Sequence, residues 1–261
     1  MVNVELVLLG IGGAFDADRG LANTGALLVI TRGAQTHRIL IDCGHTCGLQ
    51  LHALGLGYED IDAILITHTH GDHIDGLETV GYKSLFLHQR KIPIHSCGNV
   101  LDRVWDALEP KMSPLQIEQN RSIPASLDTY FDPRPNNGSA HVGGGVQARF
   151  IPVPHVVGMQ SFAIVLRIDG IEGAVRWSGD CTFNADGELF SNVSGRDLLF
   201  HDCAFYPRYD ATVHTHLEEL ETLPLAVRER VVLVHHGRVE TDPGREAEMR
   251  LGQPLERFTL Q

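Results

Sequence analysis

The sequence predicts an α/β protein in which one β-sheet packs on another and helices cover the outside. Three observations carry this. Short apolar runs closed by Gly, Pro, Asn or Asp recur along the chain and read as strands. Only a few segments show helical spacing, and they lie between groups of strands. The chain also divides near residue 145 into two halves, each running from strands to helix. Such halves bury their apolar faces as sheet on sheet, although periodicity alone does not distinguish this from other α/β layers. We expect one domain over residues 1–261.

Taken in order, Val4 to Leu9 reads as a strand ending in the turn Gly10-Ile11-Gly12-Gly13. Ala26 to Ile30 and Arg38 to Ile41 read as a hairpin around Gly33, closed by Asp42-Cys43-Gly44-His45. Leu49 to Leu56 has helical spacing, and Ile61 to Ile66 is a buried strand. Ser84 to Leu87 and Ile92 to Ile94 read as short strands, and Val100 to Leu108 as a helix stopping before Pro110. Lys111 to Gly145 is rich in proline, glycine and polar residues, and reads as mostly loop with a weak strand near Thr129 to Phe131. A long irregular stretch of this kind is usually functional or disordered. Gln147 to Val153, Phe162 to Ile168, Ala174 to Trp177, Asp197 to Phe200 and Val231 to Val234 resume the strand pattern. Leu217 to Arg228 reads as a helix broken near Pro224.

Composition narrows the setting. The net charge is −12, which disfavours a long polynucleotide partner, because non-specific affinity for phosphate backbones comes from Lys and Arg. No apolar run is long enough to cross a bilayer. The N-terminus reads as a strand, not a signal peptide. The five cysteines, Cys43, Cys47, Cys97, Cys181 and Cys203, are odd in number and scattered. They read as free thiols of a cytoplasmic protein. The C-x3-C spacing of Cys43 and Cys47 lacks the second pair a structural zinc site needs.

The unusual feature is fifteen histidines. Thr67-His68-Thr69-His70-Gly71-Asp72-His73 directly follows a buried strand. Imidazole and carboxylate suit zinc and similar metals. His68, His70, Asp72 and His73 exceed what one tetrahedral ion takes from a single loop, so the spacing favours two adjacent metals. His155, Asp180 and His235 also follow apolar strands. Each alone would more often be a surface polar residue, and their common position strengthens the joint reading.

His68-Thr69-His70-Gly71-Asp72-His73 resembles the H-x-H-x-D-H signature of the metallo-β-lactamase superfamily. Gly10-Ile11-Gly12-Gly13, Leu40-Ile41-Asp42-Cys43-Gly44 and Ser178-Gly179-Asp180 resemble its opening turn, its strand-ending acidic motif and its bridging-aspartate motif. The resemblance implies an αββα sandwich of two mixed β-sheets with the metals in a cleft at one edge. It also implies one metal on His68, His70 and His155, another on Asp72, His73 and His235, and Asp180 as the bridge. Asp42 is expected to accept a hydrogen bond from a ligand histidine, or to stabilise its own turn.

Within the superfamily the chain is most similar to tRNase Z-like phosphodiesterases, including small cyclic-phosphate phosphodiesterases. His201-Asp202-Cys203-Ala204-Phe205 and Val213-His214-Thr215-His216 resemble the H-E-A-T and H-S-T elements of that branch. The match implies His214 as general acid supported by Asp202, with His216 able to share the role. Asp72 is counted as catalytic as well as a ligand. Two departures matter. Asp180 follows His155 by about 25 residues, too few for the arm that grips tRNA, and the tail after His235 is short.

The resulting expectation is a hydrolase with two divalent metal ions, zinc first and manganese or iron as alternatives. Its expected substrate is an anionic, small or cyclic phosphodiester. A metal-dependent lactonase or thioesterase is the main alternative. A tRNA 3′-processing ribonuclease and a non-catalytic metal-binding protein rank lower. No membrane association is expected, and this branch is often dimeric.

Overall fold

A computed structural model describes residues 2–239, 244 and 247–261. The first half opens with strands β1 (Val2–Gly10), β2 (Gly25–Arg32) and β3 (Gln35–Ile41). Helix α1 (Cys47–Ala53), strand β4 (Ala63–Leu65), the short turn α2 (Gly71–Ile74) and helix α3 (Leu77–Lys83) follow. Next come strand β5 (Ile92–Cys97) and helix α4 (Val100–Met112). The exposed hairpin β6 (Leu115–Glu118) and β7 (Arg121–Ile123), the short helix α5 (Leu127–Tyr130) and β8 (Phe131–Asn136) complete this half. The second half comprises β9 (Ser139–Gly143), β10 (Val146–Val153), β11 (Ser161–Ile168), β12 (Ala174–Trp177) and β13 (Leu198–Asp202). It continues through α6 (Leu217–Leu220), α7 (Leu225–Arg228), β14 (Val231–Val234), β15 (Arg250–Leu251) and β16 (Arg257–Leu260).

These strands form two seven-stranded sheets, ordered β16-β1-β2-β3-β4-β5-β8 and β15-β14-β13-β12-β11-β10-β9. Both are mixed. In the first, β3, β4, β5 and β8 run parallel and the rest antiparallel. In the second, β12 to β15 run parallel and β9 to β12 antiparallel. The sheets divide between β8 and β9, near the expected boundary, and β16 returns to the edge of the first sheet. The side chains facing between the sheets belong to one apolar core, with Leu6, Leu28 and Ile39 on the inner face of the first sheet and Phe150, Ile164 and Trp177 on that of the second, and Phe258 beside Leu6 meets Phe200 edge-on at 5.0 Å.

Three sequence expectations are corrected. Ser84 to Leu87 is not a strand: Ser84–His88 continues α3 as a π-helical turn. Its apolar residues are unbranched at Cβ, and Phe86 stacks on Tyr82 one turn earlier. Helix α4 runs past Pro110 to Met112. Its last carbonyls are taken by the hydroxyls of Tyr82, bonded to Lys111, and Tyr130, bonded to Met112. The supposed loop after Lys111 contains β6 to β9 and α5, and Thr129 ends a helix instead of starting a strand. Here the pairing partner of β8 is β5, a long-range contact with little local signature. Among the described residues no helix is long and apolar enough to cross a membrane. All five cysteines are free.

Candidate metal centre

The strand ends of both sheets meet at one edge, where the chain leaves β3 at Asp42, β4 at His68, β10 at His155, β12 at Asp180, β13 at Asp202 and β14 at His235. Carboxyl ends of parallel strands are the usual place for a site in such sheets. The turn α2 brings Asp72 and His73 to the same edge. Gly44 makes this possible, because a Cβ there would lie 2.0 Å from the Asp72 carbonyl.

Three imidazoles converge. His70 Nδ1 lies 3.2 Å from His68 Nε2 and 3.1 Å from His155 Nε2. The opposite nitrogens are already committed. His155 Nδ1–H donates to the Val213 carbonyl at 2.9 Å. His68 Nδ1 sits 3.0 Å from the Thr67 hydroxyl, which itself donates to Asp42. Both Nε2 atoms therefore present lone pairs to the same point. Burial, the largest influence on all three, pushes their pKa values down and keeps the rings neutral. A proton on His70 Nδ1 satisfies only one of the two Nε2 lone pairs, whereas a cation at this point would satisfy all three nitrogens.

A second group lies beside the first. His73 Nε2 is 3.5 Å from Asp72 Oδ2 and 3.2 Å from Asp180 Oδ1, and His235 Nε2 is 3.3 Å from Asp72 and 3.3 Å from Asp180. His73 Nδ1–H donates to Asp42 at 2.8 Å. Its Nε2 is buried, out of hydrogen-bond alignment, and has no partner. Burial pushes the Asp72 carboxyl up, but the hydrogen bond from His235 and the positive potential of His73 outweigh it and hold it well below the usual range. Asp180 behaves alike: the positive potential of His235 and His73 overcomes burial. Conversely, burial opposes charge on His73 and His235, and the surrounding carboxylates, Asp180 foremost, overcome it. This second group is a place where positive charge is stabilised.

The donor groups thus suit divalent metal ions. His68, His70, His155 and Asp180 form one set with ligand atoms within 4.8 Å of one another, and Asp72, His73, Asp180 and His235 form another. Asp180 belongs to both. All seven ligands expected from the sequence are brought together.

Asp202 and His214 stand at the rim. His214 Nδ1–H donates to Asp202 Oδ2 at 2.8 Å. The same oxygen accepts the Cys181 N–H at 3.1 Å, and Asp202 Oδ1 is 3.4 Å from His235 Nδ1. The His214 ring stacks on His235 with centroids 4.8 Å apart. Burial lowers its pKa, but the Asp202 charge and hydrogen bond more than reverse this and raise it. His216 does not join them. Its backbone caps α6 and its buried ring packs edge-on against Tyr206. Sequence reasoning missed Thr67 and Val213. Thr67 could have been found as the hydroxyl directly before His68, whereas Val213 contributes only a carbonyl, which carries no residue signal.

The family model described as "Anti-Pycsar protein Apyc1" matches residues 4–257. A relative of that description from Bacillus phage 010DV004 is 34% identical over 242 residues, covering 90% of this chain and 89% of its own length. Among solved structures, the metallo-β-lactamase fold protein YhfI from Bacillus subtilis superposes with a TM-score of 0.71 at 18% identity, covering 98% of this chain and 99% of its own. A diphosphatase from the PhnP family superposes with a TM-score of 0.65 at 15% identity, covering 99% and 98%.

Proposed function

The chain belongs to the anti-Pycsar protein Apyc1 family, has the metallo-β-lactamase fold, and from that premise we propose that it is a dinuclear metal-dependent phosphodiesterase acting on a small or cyclic phosphodiester. The observation that carries this reading is the His214–Asp202 pair beside the two ligand sets. A thioester expels a weakly basic thiolate that needs no such donor, whereas a ribose alkoxide does.

Two divalent cations, zinc in the first instance, supply the positive charge that neutralises phosphoryl oxygens and acidifies an attacking water. The residues do the rest. His68, His70 and His155 keep their lone pairs inward because Thr67 and Val213 hold the opposite nitrogens. Asp42 holds His73 in the same way. Asp180 belongs to both sets, and its negative charge would offset the repulsion between two cations held there. His214 binds Asp202 through Nδ1, so its Nε2 is the nitrogen that delivers a proton. As water oxygen bonds to phosphorus and the ester P–O bond breaks, that proton passes to the departing oxygen. Such transfer typically contributes ~10²–10⁴-fold.

A small substrate is supported by the sequence between His155 and Asp180. It is consumed by β11 and β12, leaving no length for a tRNA-gripping arm. The net charge of −12 points the same way. The decisive experiment offers the zinc- or manganese-loaded protein bis-p-nitrophenyl phosphate, 2′,3′- and 3′,5′-cyclic nucleotides, a lactone and a thioester. Turnover of at least one cyclic nucleotide well above that of the acyl substrates is expected. Preference for the lactone or thioester would replace the phosphodiesterase reading with the acyl one.

A further inference from the structure

The outer faces of the two sheets are built differently. Side chains alternate along β10 to β12. Phe150, Ile164, Leu166, Val175 and Trp177 enter the core between the sheets, so their neighbours Arg149, Val165, Arg167 and Arg176 point outward. The pairing registers place Ser139, Arg149, Val165 and Arg176 in one row across β9 to β12, since Arg149 pairs with Ser139 and Val165, and Val165 with Arg176. In the next row Gln147 stands opposite Arg167. A cavity of about 440 Å³ opens over these rows, lined by Ser139, Gln147, Arg149, Arg167, Arg176 and Asn192. That volume lies in the range of small-ligand pockets.

The three arginines are not equivalent. Arg176 is 3% exposed and is fully used as a clamp. Its Nε donates to Asp197 at 2.7 Å, and its terminal nitrogens donate to the carbonyls of Leu189, Ser191 and Asn192 at 2.8, 3.0 and 3.1 Å. This ties the 189–192 segment over the sheet as a wall of the cavity, with Asn192 held at a φ of 54°. Arg149 is exposed and paired with Glu188 from the adjoining segment. Arg167 is exposed, and among the described residues no carboxylate lies within ion-pair distance of it. Arg149 and Arg167 are diagonal neighbours on one face, where like charges repel. Arg149 is balanced by Glu188, which also lines the recess, and Arg176 by Asp197, so among the described residues Arg167 supplies the one unbalanced positive charge there.

We propose that this recess is a second binding site, separate from the metal centre, for a small molecule bearing a phosphate group. A guanidinium fork matches phosphate oxygens in charge and geometry. Gln147, Ser139 and Asn192 supply neutral hydrogen-bonding groups around it. The cavity exceeds what a bare anion fills, and buried Val165 and Ile151 line its apolar part, which suits an organic remainder. The second sheet lies between this occupant and the core, and none of the seven candidate metal ligands lines the recess. The site does not depend on the phosphodiesterase reading.

Calorimetric titration of the metal-loaded full chain with inorganic phosphate and with adenosine 5′-monophosphate tests this. Arg167→Gln should weaken one binding component about tenfold or more, with unchanged melting temperature and unchanged turnover of bis-p-nitrophenyl phosphate. Asp180→Ala should keep that component. Binding of phosphate alone identifies a simple oxyanion site, and tighter binding of the nucleotide identifies one that also holds the organic part. In the wild-type protein labelled with ¹⁵N, the Arg167 side-chain signal should move on titration, a reading that needs no variant to fold. The proposal is overturned if neither compound binds at millimolar concentration, if the Arg167 signal stays still, or if Arg167→Gln leaves all binding intact.

Discussion

Gly13 lies against the imidazole of His235: a Cβ on Gly13 would meet His235 Cε1 at 3.0 Å and Nε2 at 3.3 Å. The opening turn after β1 is therefore a wall of the metal centre. Its hold is local. Gly13 N–H donates to Asp16, and its carbonyl accepts from Asn23. Gly13→Ala should push the His235 ring by a few tenths of an ångström while the fold stays intact. We expect weaker binding of one metal equivalent and lower activity, with little change in melting temperature. Metal titration of the variant checks this, and unaltered affinity for both equivalents would show that the ring has room to yield.

Asp42 supports two ligand histidines from one carboxylate, His73 directly and His68 through the Thr67 hydroxyl. Removing such a support typically costs 10–100-fold in metal affinity or activity. Asp42→Ala should approach the upper figure, and Thr67→Val should be milder because His73 keeps its partner. Competition with a chelator measures both. Equal losses in the two variants would place the effect in folding instead.

For His214 the expected signature is dependence on the leaving group. A p-nitrophenolate departs unaided, so His214→Ala should change hydrolysis of bis-p-nitrophenyl phosphate little. On a cyclic nucleotide the same variant should lose roughly 10²-fold or more. Metal content should stay near two equivalents, and Asp202→Asn should copy the pattern more weakly. If both substrates fall equally, His214 is not the proton donor.

Asp197 tests stability apart from the metals. Its carboxylate accepts from Arg176 Nε at 2.7 Å, from the Ser194 hydroxyl at 2.7 Å and from the Ala174 N–H at 3.1 Å. Burial pushes its pKa up, but the bonds from Ser194 and Arg176 outweigh burial and lower it. A lowered folded-state pKa means that its stabilisation is complete above the unfolded value of ~3.9 and is lost as pH falls through the folded value. Asp197→Asn leaves Arg176 buried without its counter-charge, which costs about 3–5 kcal/mol. Urea unfolding at pH 7 should show that loss, and the gap from wild type should narrow in acid. A constant gap from pH 7 down to the acid limit would contradict the assignment.

How much of this was legible beforehand depends on the range of the interaction concerned. His68, His70, Asp72 and His73 were readable because one turn holds them, and chain distance there nearly equals spatial distance. The strand β10 was readable because it alternates buried and exposed residues, and β1 and β11 because each is a short, nearly continuous apolar run. Ser84–His88 misled, because an apolar run of that length suits either a strand or a helical turn, and its neighbours decide between them. β8 was hidden for a related reason: its prolines break the pattern, and only its pairing with β5 makes it a strand. The convergence of His155, Asp180 and His235 with the histidine turn needed both sheets assembled, since these residues come from three strands far apart in sequence. The resemblance implied His214 as the acid and left His216 able to share its role, and only the tertiary structure separates the surroundings of the two rings. They lie two positions apart, yet the chain points one ring at Asp202 and turns the other against Tyr206 while its backbone caps α6. A hydrogen bond to a buried carboxylate depends on where that carboxylate is brought, and composition and spacing do not carry that information.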